Sequence, residues 1–137
     1  MQLKWPFFSY VIFAVMKFRV ARHTAGLPAI IHFYRDIAGL EILGSFDGHD
    51  GYDGVFIGIR DADWHLEFTF SRDMPMHHPD EDDLLVFYVK AEIELQAVRE
   101  KFSRNGIIAC EPKNPYWRTH GVLYKDPDGY GVLFALG

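Results

Sequence analysis

A strand, an amphipathic helix and a run of short strands occur in that order twice along this chain, with an acidic, proline-containing segment between the two occurrences. A pattern repeated at about half the chain length leaves few foldable arrangements. One βαβββ unit covers one face of its sheet with its helix and leaves the other face bare, so two units gain by burying surface together. The expected fold class is therefore α+β, with two tandem βαβββ modules forming a curved mixed sheet around a cup.

In the first module, residues 17–24 alternate without Gly or Pro and read as a strand, and Ala25-Gly26-Leu27-Pro28 turns the chain into a helix. Leu27, Ile30, Ile31, Tyr34 and Ile37 recur at helical spacing, and Gly39 stands where a helix ends. Strands are expected at Leu40–Phe46, Gly54–Arg60 and Trp64–Phe70. Met74–Asp83, with two prolines, two histidines and four consecutive acids, is linker chemistry. The second module then reads as a strand at Leu84–Val89, a helix over Ile93–Phe102 ending at Asn105-Gly106, and strands at Ile107–Glu111, Gly121–Lys125 and Gly131–Leu136. A long polar loop, Pro112–Thr119, lies inside it. The expected organisation is one domain over residues 16–137, with module one at 17–72, a linker at 73–83 and module two at 84–137.

Composition narrows the function. With 137 residues, 49% of them hydrophobic, the chain can build one core or two half-cores sharing a surface. The formal net charge of -5 and the lack of a Lys/Arg cluster exclude a nucleic-acid footprint. Cys110 is the single cysteine, set in an apolar run, so it reads as a packed thiol in a reducing, cytoplasmic compartment. Residues 1–15 begin like a signal peptide, with Lys4 before an apolar stretch, but no small-x-small cleavage site follows. The apolar run falls well short of the ~20 residues a bilayer core requires, so no membrane partner is expected. Met16 reads as the natural start of the folded domain, and residues 1–15 as an extension outside the functional argument.

The spacing Leu27-x6-Tyr34-Arg35-Asp36-x3-Leu40-Glu41, followed by His65-Leu66-Glu67-Phe68 and Asp126-Pro127-Asp128-Gly129, resembles the vicinal oxygen chelate superfamily of glyoxalases, bleomycin-resistance proteins and extradiol dioxygenases. The resemblance runs from about residue 17 to the C-terminus. It implies a glyoxalase-like fold, a homodimer, and activities that range from metal-dependent isomerases, lyases and dioxygenases to metal-free drug-binding proteins. Fold alone does not choose among them. In metal-dependent members the ligands come from the first and last strands of each module, which here carries the roles onto Arg19, Glu67, Leu84 and Leu133. Only Glu67 is an ordinary metal donor, so the resemblance implies a dismantled metal site and no favoured cofactor.

Strand alternation places Arg19 and His23 on one face and His65 and Glu67 on a neighbouring one, both toward the cup. Arg19 and Glu67 are expected to form an ion pair at the cup floor. Tyr116, Trp117 and His120, from the loop ahead of a strand, join Arg19, His23, His65 and Glu67 as the expected ligand-binding set, with Glu67 the candidate catalytic group. The alternative is a displaced site of His65, Glu67 and His120 holding a divalent Zn, Ni, Mn or Fe ion, which would make the protein a lyase, isomerase or dioxygenase of glyoxalase type. The favoured expectation is a small-molecule-binding cup without that metal. His77-His78 reads as exposed linker, and Tyr52, Phe56 and Tyr88 as strand aromatics near the cup.

Overall fold

The computed structural model describes residues 16–137, so the expectation for residues 1–15 lies outside the described residues. Module one contains β1 (Phe18–His23), a helix α1 that starts as α-helix at Leu27–Ile31 and continues as π-helix over His32–Ile37, then β2 (Glu41–His49), β3 (Tyr52–Gly58) and β4 (Trp64–Phe70). Module two contains β5 (Leu84–Val89), α2 (Glu92–Arg104), a short α3 (Pro115–His120), β6 (Gly121–Lys125) and β7 (Gly131–Leu136).

The two sheets repeat one topology. Sheet one runs β1-β4-β3-β2 and sheet two runs β5-β7-β6, with β1 parallel to β4 and β5 parallel to β7. The fourth position of sheet two is a single antiparallel bridge from Cys110 to Leu123, where a strand over Ile107–Glu111 was expected. The physical reason lies on either side of the bridge. Gly106, at φ +74, turns the chain out of α2, leaving Ile108 85% exposed, and Pro112 has no N–H to extend a ladder. The expected loop Pro112–Thr119 instead contains α3, started by the Asn114 side chain accepting from Tyr116 N at 3.1 Å, with Pro115 in the first turn.

In α1 the wider π turn shows as Ala38 N donating to Phe33 O at 2.9 Å, and beyond the helix end Leu40 N donates back to Tyr34 O at 2.9 Å. They bring Phe33, Tyr34 and Ile37 inward together with Ile30. Strand parity then sorts the sheets. Val55, Ile57, Leu66 and Phe68 of sheet one and Val122, Tyr124, Val132 and Phe134 of sheet two join the helices in one core that spans both modules. Phe33 meets Phe102 edge-on at 5.5 Å, and Phe102 stacks on Tyr124 at 3.9 Å. The opposite faces differ: Arg19, His65 and Glu67 lie on that of sheet one, and a separate apolar cluster of Leu123, Leu133 and Ala135 on that of sheet two.

Candidate functional site

The face of sheet one turned away from the helices holds a connected polar group. β1 and β4 pair Arg19 with His65 and Ala21 with Glu67, and β3 sets Phe56 opposite Glu67. Arg19 Nε donates to His65 Nε2 at 2.8 Å, so that ring nitrogen acts as an acceptor without a proton. Arg19 Nη1 lies 3.6 Å from Glu67 Oε2, the ion pair expected from the sequence. The guanidinium rests 4.9 Å above the Phe56 ring, which in turn neighbours Phe46 at 5.8 Å. The Arg19 side chain is 48% exposed, the Glu67 side chain 15%. His23 lies two alternations beyond Arg19 along β1, bonded to Ser71 Oγ at 3.0 Å and edge-on to Tyr52.

Tyr116, Trp117 and His120 form a second group on α3. The Tyr116 and His120 rings stack at 4.3 Å, and His120 Nδ1 lies 2.6 Å from the Tyr116 carbonyl oxygen. Trp117 is half-buried over the apolar face of sheet two, against the cluster that includes Leu84, Val86 and Cys110. Arg118 is held by the Pro112 carbonyl at 2.9 Å and by Glu111 at 3.2 Å. Among the described residues no hydrogen bond, ion pair or ring contact joins this group to the Arg19 group.

The four positions to which the resemblance carries metal ligands do not fit a divalent ion. Arg19 is a permanent cation already engaged with His65 and Glu67, and Leu84 and Leu133 pack in apolar surroundings. His65 and Glu67 share a face, whereas His120 belongs to the α3 group.

A third constellation was not singled out from the sequence. Arg22, on the opposite side of β1 from Arg19, donates from Nη1 to Asp126 at 2.5 Å and to Asp128 at 3.3 Å, joining module one to the β6–β7 turn. Tyr34 OH donates to the same Asp126 oxygen, and Thr24 Oγ1 to Asp128 at 2.9 Å. The other Asp126 oxygen accepts from the backbone N–H of Asp128 and Tyr130. Burial and the Asp126 charge push the Tyr34 hydroxyl pKa well above the tyrosine value of 10.0. Burial opposes the charge on Arg22, but Tyr34 and Asp126 outweigh it and hold its pKa above the ordinary value. His77 is no free linker residue: it lies half-buried between Tyr130 OH at 2.9 Å and the His23 carbonyl at 2.7 Å. The available sequence signal was the Asp126-Pro127-Asp128-Gly129 turn, whose first carboxylate is buried because it faces Arg22.

Known proteins resemble this chain in sequence and fold. Residues 18–69 match the YycE-like N-terminal domain and residues 82–135 the YycE-like C-terminal domain. The uncharacterised protein YycE of Bacillus subtilis (strain 168) is 43% identical over 125 residues, which is 89% of this chain and 88% of that protein. A crystal structure of a YycE protein of unknown function from Bacillus subtilis superposes with a TM-score of 0.80 at 42% identity, over 88% of this chain and 89% of that one. Leishmania major glyoxalase I superposes with a TM-score of 0.68 at 18% identity, over 86% of this chain and 84% of that one. The fosfomycin resistance protein FosX from Mesorhizobium loti gives 0.65 at 9% identity, over 87% and 89%. The last two share the fold. The level of identity to YycE, over nearly the whole of both chains, goes further: this chain belongs to the YycE-like family of the vicinal oxygen chelate superfamily.

Proposed function

We propose that the protein binds a small molecule on the open face of sheet one, with Arg19 standing where metal-dependent relatives would hold an ion. The observation that carries this reading is the Arg19 guanidinium itself, engaged by His65 and Glu67 and laid over Phe56, yet half-exposed. A guanidinium offers a permanent charge and planar donors that match the oxygens of a carboxylate, phosphonate or enolate. Phe56 and Phe46 offer flat apolar surface beside it. The ligand class is therefore a small molecule with one anionic or carbonyl-bearing end and a partly aromatic body, held without a resident metal by a sequestering or resistance-type protein of the cytoplasm.

A cup needs a second wall, and Arg19 and Ala21 remain exposed within one chain. In the homodimer we propose, the Tyr116, Trp117 and His120 helix of one copy faces the Arg19 group of the other. Sedimentation at micromolar concentration is expected to return a dimer; a strict monomer contradicts this arrangement.

One observation favours an enzyme instead. His65 and Glu67 alternate onto one face, so displacement of Arg19 would free an imidazole and a carboxylate for a Zn, Ni, Mn or Fe ion, with His120 as third ligand. Glu67 would then serve a lyase, isomerase or dioxygenase of glyoxalase type as its base. Metal content of untagged protein, followed by thermal shift with each ion, separates the two readings. The binding reading predicts no stoichiometric metal and no shift. Stoichiometric metal whose stabilisation is lost in Glu67→Ala and His65→Ala moves the assignment to the enzyme.

A further inference from the structure

The open face of sheet one continues past the Arg19 group to a second polar pair. His23 stands two alternations beyond Arg19 on β1, and Ser71 two alternations beyond Glu67 just past the end of β4, so both return to the face that carries Arg19 and Glu67. His23 Nε2 and Ser71 Oγ are 3.0 Å apart, and Tyr52, 45% exposed, meets the His23 ring edge-on at 6.2 Å. His23 is bonded through Nε2 and its carbonyl oxygen, and among the described residues no hydrogen bond reaches its Nδ1 or the Tyr52 hydroxyl. At ~3.3 Å per residue, Arg19 and His23 stand about 13 Å apart along the strand, enough to hold the two ends of one small molecule.

The surface between the two polar groups suits a flat apolar body. Ala21, the β1 residue between Arg19 and His23 on this face, is small and exposed. On β3, Gly54 is not at positive φ, so its backbone does not call for glycine; a Cβ there would collide with the Phe46 ring, which reaches across from β2. Gly54 pairs with Thr69 and Thr69 with His23, so Phe46 carries the aromatic floor from Phe56, 5.8 Å away, to the row of His23. The pair itself selects what lies at the far end. Ser71 Oγ donates either to His23 Nε2 or to the Asp73 carbonyl at 3.4 Å, so His23 Nδ1 is a donor in the first arrangement and an acceptor in the second. A hydroxyl both donates and accepts and satisfies either, whereas a carboxylate only accepts. We propose that His23 and Ser71 form the far end of the ligand site and select a molecule with a hydroxyl opposite its anionic end. This inference rests on Arg19 as the cation at the near end.

Biphenyl-4-carboxylate and 4′-hydroxybiphenyl-4-carboxylate differ only in that hydroxyl. In isothermal titration of the full chain, the hydroxylated probe is expected to bind about tenfold more tightly, the effect of one well-partnered hydrogen bond. In Ser71→Ala, and in His23→Phe, which keeps a ring against Tyr52, the ratio of the two affinities should collapse to about one. Circular dichroism checks that each variant is folded. Arg19→Met should weaken both probes together and keep their ratio, so the near and far ends are read separately. Equal affinities in the parent, or a ratio that survives both Ser71→Ala and His23→Phe, overturn the inference and leave the Arg19 reading standing. Full affinity for both probes in Arg19→Met overturns the Arg19 reading instead, and binding of neither probe by the parent overturns both.

Discussion

Arg19 and Arg22 lie on one strand, point to opposite sides of it and meet carboxylates, yet they are built for different work. Arg22 is 11% exposed against a fully buried Asp126, at 2.5 Å, with Asp128, Tyr34, Tyr130 and Phe68 around it. Arg19 is 48% exposed, 3.6 Å from Glu67, with one firm hydrogen bond to His65. A buried, fully partnered pair joins modules and has nothing left to offer a ligand. A half-exposed one keeps donors free at modest cost to stability. The contrast separates the arginine that joins the modules from the one proposed to meet a ligand.

The comparison breaks most visibly at Asp126. Asp126→Asn removes the nearer of the two carboxylates that face the buried Arg22 charge, leaving Asp128 at 3.3 Å, and is expected to cost about 3 kcal/mol in chemical denaturation. Tyr34→Phe removes one hydrogen bond to the same carboxylate and should cost about 1–2 kcal/mol. It also carries a pH signature. Because the Tyr34 pKa is raised in the folded state, its contribution is fully present below the ordinary value of 10.0 and is lost as pH rises toward the folded value. Wild-type stability should therefore fall above pH 10.0 with a slope that Tyr34→Phe lacks. Arg19→Met should shift stability by no more than about 1 kcal/mol, since the pair it breaks is solvent-screened. Glu67→Gln should change it least, because the amide keeps the shape of the site and the 3.6 Å contact with Arg19 is a solvent-screened charge pair. A large loss in either Arg19→Met or Glu67→Gln would erase the distinction between the two pairs.

How far the sequence was legible follows the same physics. β4 over Trp64–Phe70, β5 over Leu84–Val89, β6 over Gly121–Lys125 and β7 over Gly131–Leu136 end where Gly, Pro and acidic turns said they would. The strand expected at Ile107–Glu111 shrank to the Cys110 bridge, because local pattern cannot show that no partner lies alongside. α3 was missed since six residues are too few to display a helical period, although Asn114-Pro115 was its start signal. The Arg19, His65 and Glu67 group was readable from strand parity, which requires only the register of neighbours. The Arg22 clasp was not: Asp126 and Arg22 are 104 residues apart, and only the packing of one module on the other brings them together. Tyr116, Trp117 and His120 were grouped with Arg19 from the sequence, but among the described residues no contact joins them, because α3 packs on the far face of sheet two.

The central claim is that Arg19 is the ligand-binding cation. Isothermal titration of chelator-treated protein with a panel of aryl carboxylates and α-keto acids, repeated on Arg19→Met with the tightest of them, tests it most directly. The account predicts measurable binding by the parent and a loss of about tenfold or more in the variant, as expected for a charge-assisted hydrogen bond of about 1.5–3 kcal/mol. Equal affinity in parent and variant, or no binding by any member of the panel, would contradict it.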